Sequence, residues 1–195
     1  PSFTWRARNP ERSVVVGENA ITFGPNGGMV YASNLDIGRR PGTMEDFDHL
    51  LVEAHRRGIK ILLDLVLNHT SDEHPWFQQA RSDRNSPYRD WYVWSVKKPK
   101  DWDQGMVFPG VQKSTWTRDK KTGAYYHHRF YDFQPDLNMD NDAVRAEIRR
   151  IMGYWLELGV EGFRVDAVPF ILETQNPGQP NRKIRFEYLR EMRRF

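Results

Sequence analysis

The chain has no cysteine among its 195 residues. Disulfides, thiolate catalysis and Cys-ligated zinc are therefore excluded at the outset. It also lacks a long apolar run. The nearest approach, Ile59 to Leu67, is interrupted by Asp64 and falls far short of the ~20 residues a membrane span needs. Charge of one sign is not in excess either, with 29 Lys+Arg against 26 Asp+Glu and a formal net charge of +3. Basic residues alternate with acidic ones, as from Glu53 to Arg57 and from Glu147 to Arg150, which gives no footprint for nucleic acid. The Arg-rich stretch Arg190 to Phe195 reads as one solvated helix face. The N-terminus has no Met, no charged leader and no apolar leader segment, so no signal peptide is visible and a cytoplasmic location is expected. A chain beginning at Pro1 is compatible with being part of something longer. Aromatic residues, in contrast, are plentiful: Trp 7, Tyr 8 and Phe 11 supply the apolar surface for one domain of ordinary size.

Two segments share one pattern, a helix, a glycine and a buried strand. The first helix starts near Thr43, whose spacing to Asp46 suits a capping box. Phe47, Leu50, Leu51 and Ala54 form its apolar face, and Gly58 closes it. The strand Ile59 to His69 follows. The second helix begins near Asn141 or Asp142, carries Val144, Ile148, Ile151, Met152 and Trp155 at helical spacing, and stops at Gly159 ahead of the strand Val160 to Val168. Near-continuous apolar strands fed by amphipathic helices predict a parallel sheet covered by helices, an α/β fold.

Between the strands lie roughly 70 residues, 70–139, too many for a bare connection. An inserted subdomain is expected there. It holds Trp76, Trp91, Trp94, Trp102 and Trp116 with Tyr88, Tyr92, Tyr125, Tyr126, Phe130 and Tyr131. Tyr125 to Tyr131 reads as a short strand after the turn Lys120 to Gly123. Most of these rings suit a local core; a few suit a sugar site, where flat apolar rings pack on pyranose faces. Asn176 to Asn181 reads as a loop.

Charge inside strands buried on both faces needs a reason. Period two puts Asp64, Val66 and Asn68 on one face with His69 at the end, and puts Arg164 and Asp166 on one face of the other strand. Either these are catalytic groups at strand ends, or Arg164 simply satisfies Asp64 or Asp166 and holds adjacent strands together.

The run Asp64-Leu-Val-Leu-Asn-His69 resembles the first signature of glycoside hydrolase family 13, the α-amylase superfamily. Gln134-Pro-Asp-Leu-Asn138 resembles the signature that closes its inserted domain B, and Gly162-Phe-Arg-Val-Asp166 its nucleophile strand. Asn68-His-Thr-Ser-Asp72, His74-Pro-Trp-Phe77, Tyr92-Val-Trp-Ser95, His128-Arg-Phe130 and Asp166-Ala-Val-Pro-Phe170 are similar to the trehalose synthase branch, with oligo-1,6-glucosidases second. The resemblance spans about Gly42 to Phe195. It implies a partial (β/α)8 TIM barrel, 42–69 with 140–195, carrying domain B at 70–139 and truncated at its C-terminus.

By the same resemblance Asp166 is the nucleophile of a retaining enzyme, Arg164 orients it, His69 binds the glucose, and Asp64 is a carboxylate beneath the site. The implied partners are α-linked glucosides such as maltose, trehalose and malto-oligosaccharides, with no nucleic acid and no membrane. A structural calcium ion is implied at Asn68, Asp136, Glu173 and the carbonyls of Phe170 and Ile171, an all-oxygen set, and no organic cofactor. Phe170 stands where those relatives have Tyr. The alternative for Asn68 and Asp136 is hydrogen bonding to loop backbone.

Two departures stand out. After Asp166 no residue makes an acid/base strand: Glu173 suits a calcium ligand and Glu187 an Arg-rich helix face, so the general acid and a transition-state-stabilising Asp are expected beyond Phe195. At the front, Phe3-Thr-Trp-Arg-Ala-Arg-Asn-Pro-Glu-Arg12 with Gly38-Arg-Arg-Pro-Gly42 resembles a trimethylamine methyltransferase, which sets residues 1–41 apart. Gly42 to Phe47 suits either family, and a seam is expected near it. Plain α-glucoside hydrolysis and a non-catalytic barrel scaffold or binding module are the competing functions.

Overall fold

The computed structural model describes residues 44–173 and 184–195, together with the backbone of four short strands before them. The elements run β1 (Arg6–Ala7), β2 (Val14–Val15), β3 (Ile21–Phe23), β4 (Met29–Tyr31), α1 (Met44–Arg56), β5 (Leu62–Leu65), α2 (Pro75–Ser82), β6 (Trp94–Ser95), β7 (Trp116–Arg118), β8 (Tyr125–His127), α3 (Asp142–Leu158), β9 (Gly162–Val165), α4 (Val168–Ile171) and α5 (Phe186–Arg194). Two compact units result: residues 1–66 with 151–165, and residues 67–150 with 166–195. Thr43, most of segment 1–41 and the expected loop 176–181 lie outside the described residues.

In the first unit β1 pairs with β2 and β3 with β4, both antiparallel, while β5 and β9 pair in parallel. Both helix-to-strand passages end as the glycines predict. Gly58 takes φ +68°, and Gly58 N–H and Ile59 N–H donate to the carbonyls of His55 and Ala54. Gly159 takes φ +108°, with Gly159 N–H and Val160 N–H on Leu156 and Trp155. Only a residue without a Cβ enters this left-handed region freely, so each helix stops there and a strand follows within a few residues. The apolar face of α1 is buried as its spacing requires, and so is that of α3. Trp155 is 0% exposed and takes the ring of Phe47 edge-on at 5.3 Å. Truncating such a ring to Ala costs ~3–5 kcal/mol.

The strands are shorter than their apolar runs, Leu62–Leu65 and Gly162–Val165. After β9 the chain turns at Ala167 into α4, and after β5 it changes partner. Beyond β5 the backbone of 68–70 bonds to the segment 135–137, with Leu137 N–H on the Asn68 carbonyl and Thr70 N–H on that of Pro135. The strand expected at Tyr125 to Tyr131 likewise ends at His127, where Asp136 N–H takes the His127 carbonyl and the Arg129 N–H goes to the Asp136 side chain.

The second unit is built on the antiparallel sheet β6-β8-β7. Phe77 of α2 is 0% exposed and touches the rings of Tyr92, Trp94 and Tyr126 at 5.0–5.6 Å. Trp76, Trp116 and Tyr126 are buried as well, so these rings form a local core rather than a sugar site. α2 starts on His74, whose Nδ1 accepts from Trp76 N–H, and on Pro75, which needs no hydrogen bond at that position. The β7–β8 turn is held by the buried Asp119, which accepts from the backbone and hydroxyl of Thr122 and from Arg81. Burial pushes the Asp119 carboxyl up, but these donors outweigh it and leave it below the usual carboxylate range. In α5, Arg190, Arg193 and Arg194 are exposed, as a solvated face requires.

Candidate active site

Parallel pairing sets Asp64 directly opposite Arg164. Arg164 Nη1 donates to Asp64 Oδ1 at 2.9 Å and to Oδ2 at 2.7 Å. Of the two partners open to Arg164 in the sequence, Asp64 is thus engaged. The pair stays wet, with the Arg164 and Asp64 side chains 64% and 35% exposed.

After β9 the chain passes through Asp166 into Ala167, which holds φ +54°, the one non-glycine in the left-handed region among the described residues. This turn sends the backbone straight into α4. A side chain bearing a Cβ is strained there by ~1–3 kcal/mol, and such strain gathers at sites that need one geometry. Nothing in the alternation of polar and apolar residues signals it.

His69, after β5, packs its ring against Phe130 at 5.3 Å, and its Nε2 lies 3.1 Å from Gln134 Nε2. Burial lowers the His69 pKa, while the carboxylates of Asp136 and Asp166 act in the opposite direction. The imidazole is therefore neutral near pH 7. Each ring nitrogen faces a carboxamide nitrogen, Nε2 that of Gln134 and Nδ1 that of Asn68 at 3.4 Å. The charge of Asp166 reaches His69 across more than ninety residues of chain.

Asp136 is 0% exposed. Its Oδ1 accepts from Asn68 Nδ2 at 2.8 Å and from Arg129 N–H at 2.9 Å. Oδ2 lies 3.0 Å from His127 Nδ1 but out of line for a hydrogen bond. Burial pushes this carboxyl up, and His127 and the Arg129 amide outweigh it to hold it low. Arg129 is the residue that sequence reasoning passed over. It is 2% exposed, donates to Glu173 Oε2 at 2.8 Å and to the Gly105 carbonyl at 3.0 Å, and lies over the Phe170 ring at 5.0 Å. An arginine inside the aromatic run Tyr125 to Tyr131 was the available signal.

Asn68 and Glu173 thus adjoin Asp136 and Arg129, while Phe170 offers Arg129 its ring and its carbonyl accepts from Glu173 N–H. For a calcium ion the chemistry is suitable: Asp136 Oδ2 is a buried acceptor with no hydrogen bond, next to the Asn68 carboxamide. Against a ready-made cage, Asn68 turns its amide nitrogen toward Asp136, and the Arg129 guanidinium engages Glu173. No cluster of three His, Cys, Asp or Glu able to hold a metal occurs among the described residues. The donor set fits calcium in kind, but to hold the ion Asn68 would have to turn over and Glu173 to leave Arg129.

The profile of the alpha-amylase catalytic domain matches residues 32–194. The chain belongs to the alpha-amylase family, glycoside hydrolase family 13. The site residues all lie within the matched span. The trehalose synthase of Pimelobacter sp. is 44% identical over 170 residues, covering 87% of this chain. The oligo-1,6-glucosidase of Heyndrickxia coagulans is 50% identical over 132 residues, or 65% of this chain and 23% of the enzyme. Among solved structures, a Bacillus licheniformis trehalose-6-phosphate hydrolase variant superimposes with a TM-score of 0.71 at 36% identity, over 90% of this chain and 34% of that one. The chain spans 30% of the length of the Pimelobacter enzyme. A second profile, trimethylamine methyltransferase, matches residues 1–57. The two matches overlap at 32–57, so the methyltransferase likeness reaches past residue 41 and through Gly42 to Phe47. No helix among the described residues is long and apolar enough to cross a membrane.

Proposed function

We propose that this chain supplies the nucleophile part of a retaining, α-glucoside-active site of trehalose synthase type. The observation that carries the reading is the placement of Asp166 directly after β9, on the backbone turn at Ala167, with its charge bearing on a neutral His69. In this reading an Asp166 oxygen attacks the anomeric carbon as the bond to the leaving oxygen breaks, giving a glucosyl ester. A hydroxyl then attacks the same carbon from the vacated side as the bond to Asp166 breaks, gives its proton to the base left by the acid of the first step, and restores the configuration. The proton for the leaving oxygen comes from an acid that the reading leaves unassigned among the described residues. His69 hydrogen-bonds the glucose. Arg164, fixed by Asp64, orients Asp166.

Released glucose recaptured at another hydroxyl makes the reaction an isomerisation of maltose and trehalose; capture by water makes it hydrolysis. The Pimelobacter relative supports the first and the Heyndrickxia relative favours the second. The scaffold in this reading is a (β/α)8 barrel, with β5 and β9 as two of its strands and 70–139 as domain B, in a cytoplasmic enzyme. Calcium, held by Asn68, Asp136, Glu173 and the carbonyls of Phe170 and Ile171, would supply cross-linking of these segments rather than chemistry.

A 5-fluoro-glucosyl fluoride tests the nucleophile alone, because fluoride leaves without protonation and no general acid is needed. Mass spectrometry of the treated chain is expected to find a fluoroglucosyl adduct on the peptide bearing Asp166, absent from Asp166→Asn. An adduct on another carboxylate removes Asp166 from the role. No adduct on any residue favours the binding scaffold.

A further inference from the structure

A buried arginine needs a reason beyond filling space, because its charge must be satisfied and an apolar side chain of similar volume packs without that demand. What the guanidinium adds is direction: its edges donate along fixed lines and its face stacks on rings. Arg129 uses edge and face together. Its backbone N–H is tied to Asp136, Nη1 donates to the Gly105 carbonyl, Nη2 to Glu173, and the guanidinium carbon lies over the Phe170 ring. Two of these partners belong to the segment that follows Asp166, Phe170 within α4 and Glu173 two residues past it.

That segment depends on outside support. α4 has four residues, too few to be stable on its own hydrogen bonds. It starts from Ala167 at φ +54°, a conformation that persists only where the surroundings over-determine it. Ile171 is 1% exposed and anchors one side, and Arg185 N–H donates to the Leu172 carbonyl past the helix end. The ion pair and the ring contact with Arg129 are the directed restraints added to these. Phe130, the next residue, extends the grip, with its ring edge-on to Phe170 at 5.6 Å and to His69 at 5.3 Å. One dipeptide therefore touches both His69 and the helix that follows Asp166.

We propose that Arg129 is a positioning residue for the nucleophile: by gripping Phe170 and Glu173 it fixes α4, and through the turn at Ala167 it sets where the Asp166 carboxylate stands. The inference rests on the proposed role of Asp166. A displacement of ~1 Å at a reacting atom slows a reaction about a hundredfold, so loosening α4 acts on the rate of attack, while His69, which holds the sugar in that reading, stays in place.

Labelling of the full chain by 5-fluoro-glucosyl fluoride, followed by mass spectrometry over a range of reagent concentrations, separates attack from binding. EDTA is present, so no metal stands in for the guanidinium. Arg129→Gln is expected to lower the labelling rate at saturating reagent about tenfold, with the half-saturating concentration within about twofold of wild type. Glu173→Ala is expected to lower it equally, and the double variant no further, because both changes remove one clamp. Arg129→Lys keeps the charge but loses the fork, and an intermediate rate is expected. A purely structural role shows in circular dichroism and urea unfolding, not in the saturated rate of the folded chain. If Arg129→Gln loses its native circular dichroism, Arg129→Lys and Glu173→Ala carry the test. Folded variants that label at the wild-type rate, losses that add in the double variant, or wild type that labels with calcium but not in EDTA overturn the clamp and leave Asp166 as the nucleophile. Wild type that labels under neither condition overturns both.

Discussion

Two carboxylate networks in this chain have opposite surroundings. Asp64 and Arg164 meet across a parallel strand pair with their side chains 35% and 64% exposed. Asp136 is wholly buried, and Asn68, the Arg129 backbone and His127 close around it. In water the attraction of an ion pair is small, so the first pair contributes ~0–1 kcal/mol. The second stands where an unsatisfied partner is expensive, so its residues hold the segment 127–137 against 68–70. Burial, rather than residue type, separates an ion pair that adds little to stability from a carboxylate that holds two segments together.

The sharpest way to break the contrast is Asp136→Ala, which leaves the buried Arg129 amide and Asn68 carboxamide without their acceptor and His127 without its neighbouring charge. A loss of ~3–5 kcal/mol in urea unfolding is expected, and a loss below ~1 kcal/mol would make the two networks equivalent.

Acid provides the next test. Burial holds the His128 pKa low against its hydrogen bond to the Phe130 carbonyl. The unfolded chain therefore binds a proton below its ordinary value of about 6.5 while the folded chain does not, so this contribution is complete above that pH and declines as pH falls. Asp119 has its folded pKa depressed, so its contribution is present above the ordinary Asp value of about 3.9 and is lost as pH drops through the folded value. The urea midpoint measured against pH is expected to fall in these two stages. In Asp119→Asn the second is reduced.

Ala167→Gly relieves the left-handed strain after Asp166, and a gain of about 0.5–1 kcal/mol is expected by the same unfolding measurement. A loss instead would mean that the alanine methyl packs usefully enough to outweigh the strain.

The smallest stability effect is expected for Asp64→Asn, ~0–1 kcal/mol, together with slower labelling of Asp166 by the fluoride reagent. A double-mutant cycle with Arg164→Lys isolates the pair. A coupling as large as the Asp136 loss would break the comparison from the other side.

Much of this molecule is written in local pattern. The apolar spacing of Phe47, Leu50, Leu51 and Ala54, and of Val144 to Trp155, determines two helices and their buried faces, because side chains three and four apart share one face of a helix. Gly58 and Gly159 determine where those helices stop, since the left-handed turn favours glycine. The residue types at the strand ends determine the family. What the tertiary structure alone decided is pairing and burial over long stretches of chain. Arg164 meets Asp64 one hundred residues away, and Asn68 meets Asp136 across 68. The chain after β5 and β8 finds new partners at 135–137, Arg129 disappears beneath Glu173 and Phe170, and Phe108 and Phe133 stay at the surface while Phe77 does not. Periodicity reports which face a side chain takes along one helix or strand; which distant segment then covers that face depends on the path of the whole chain.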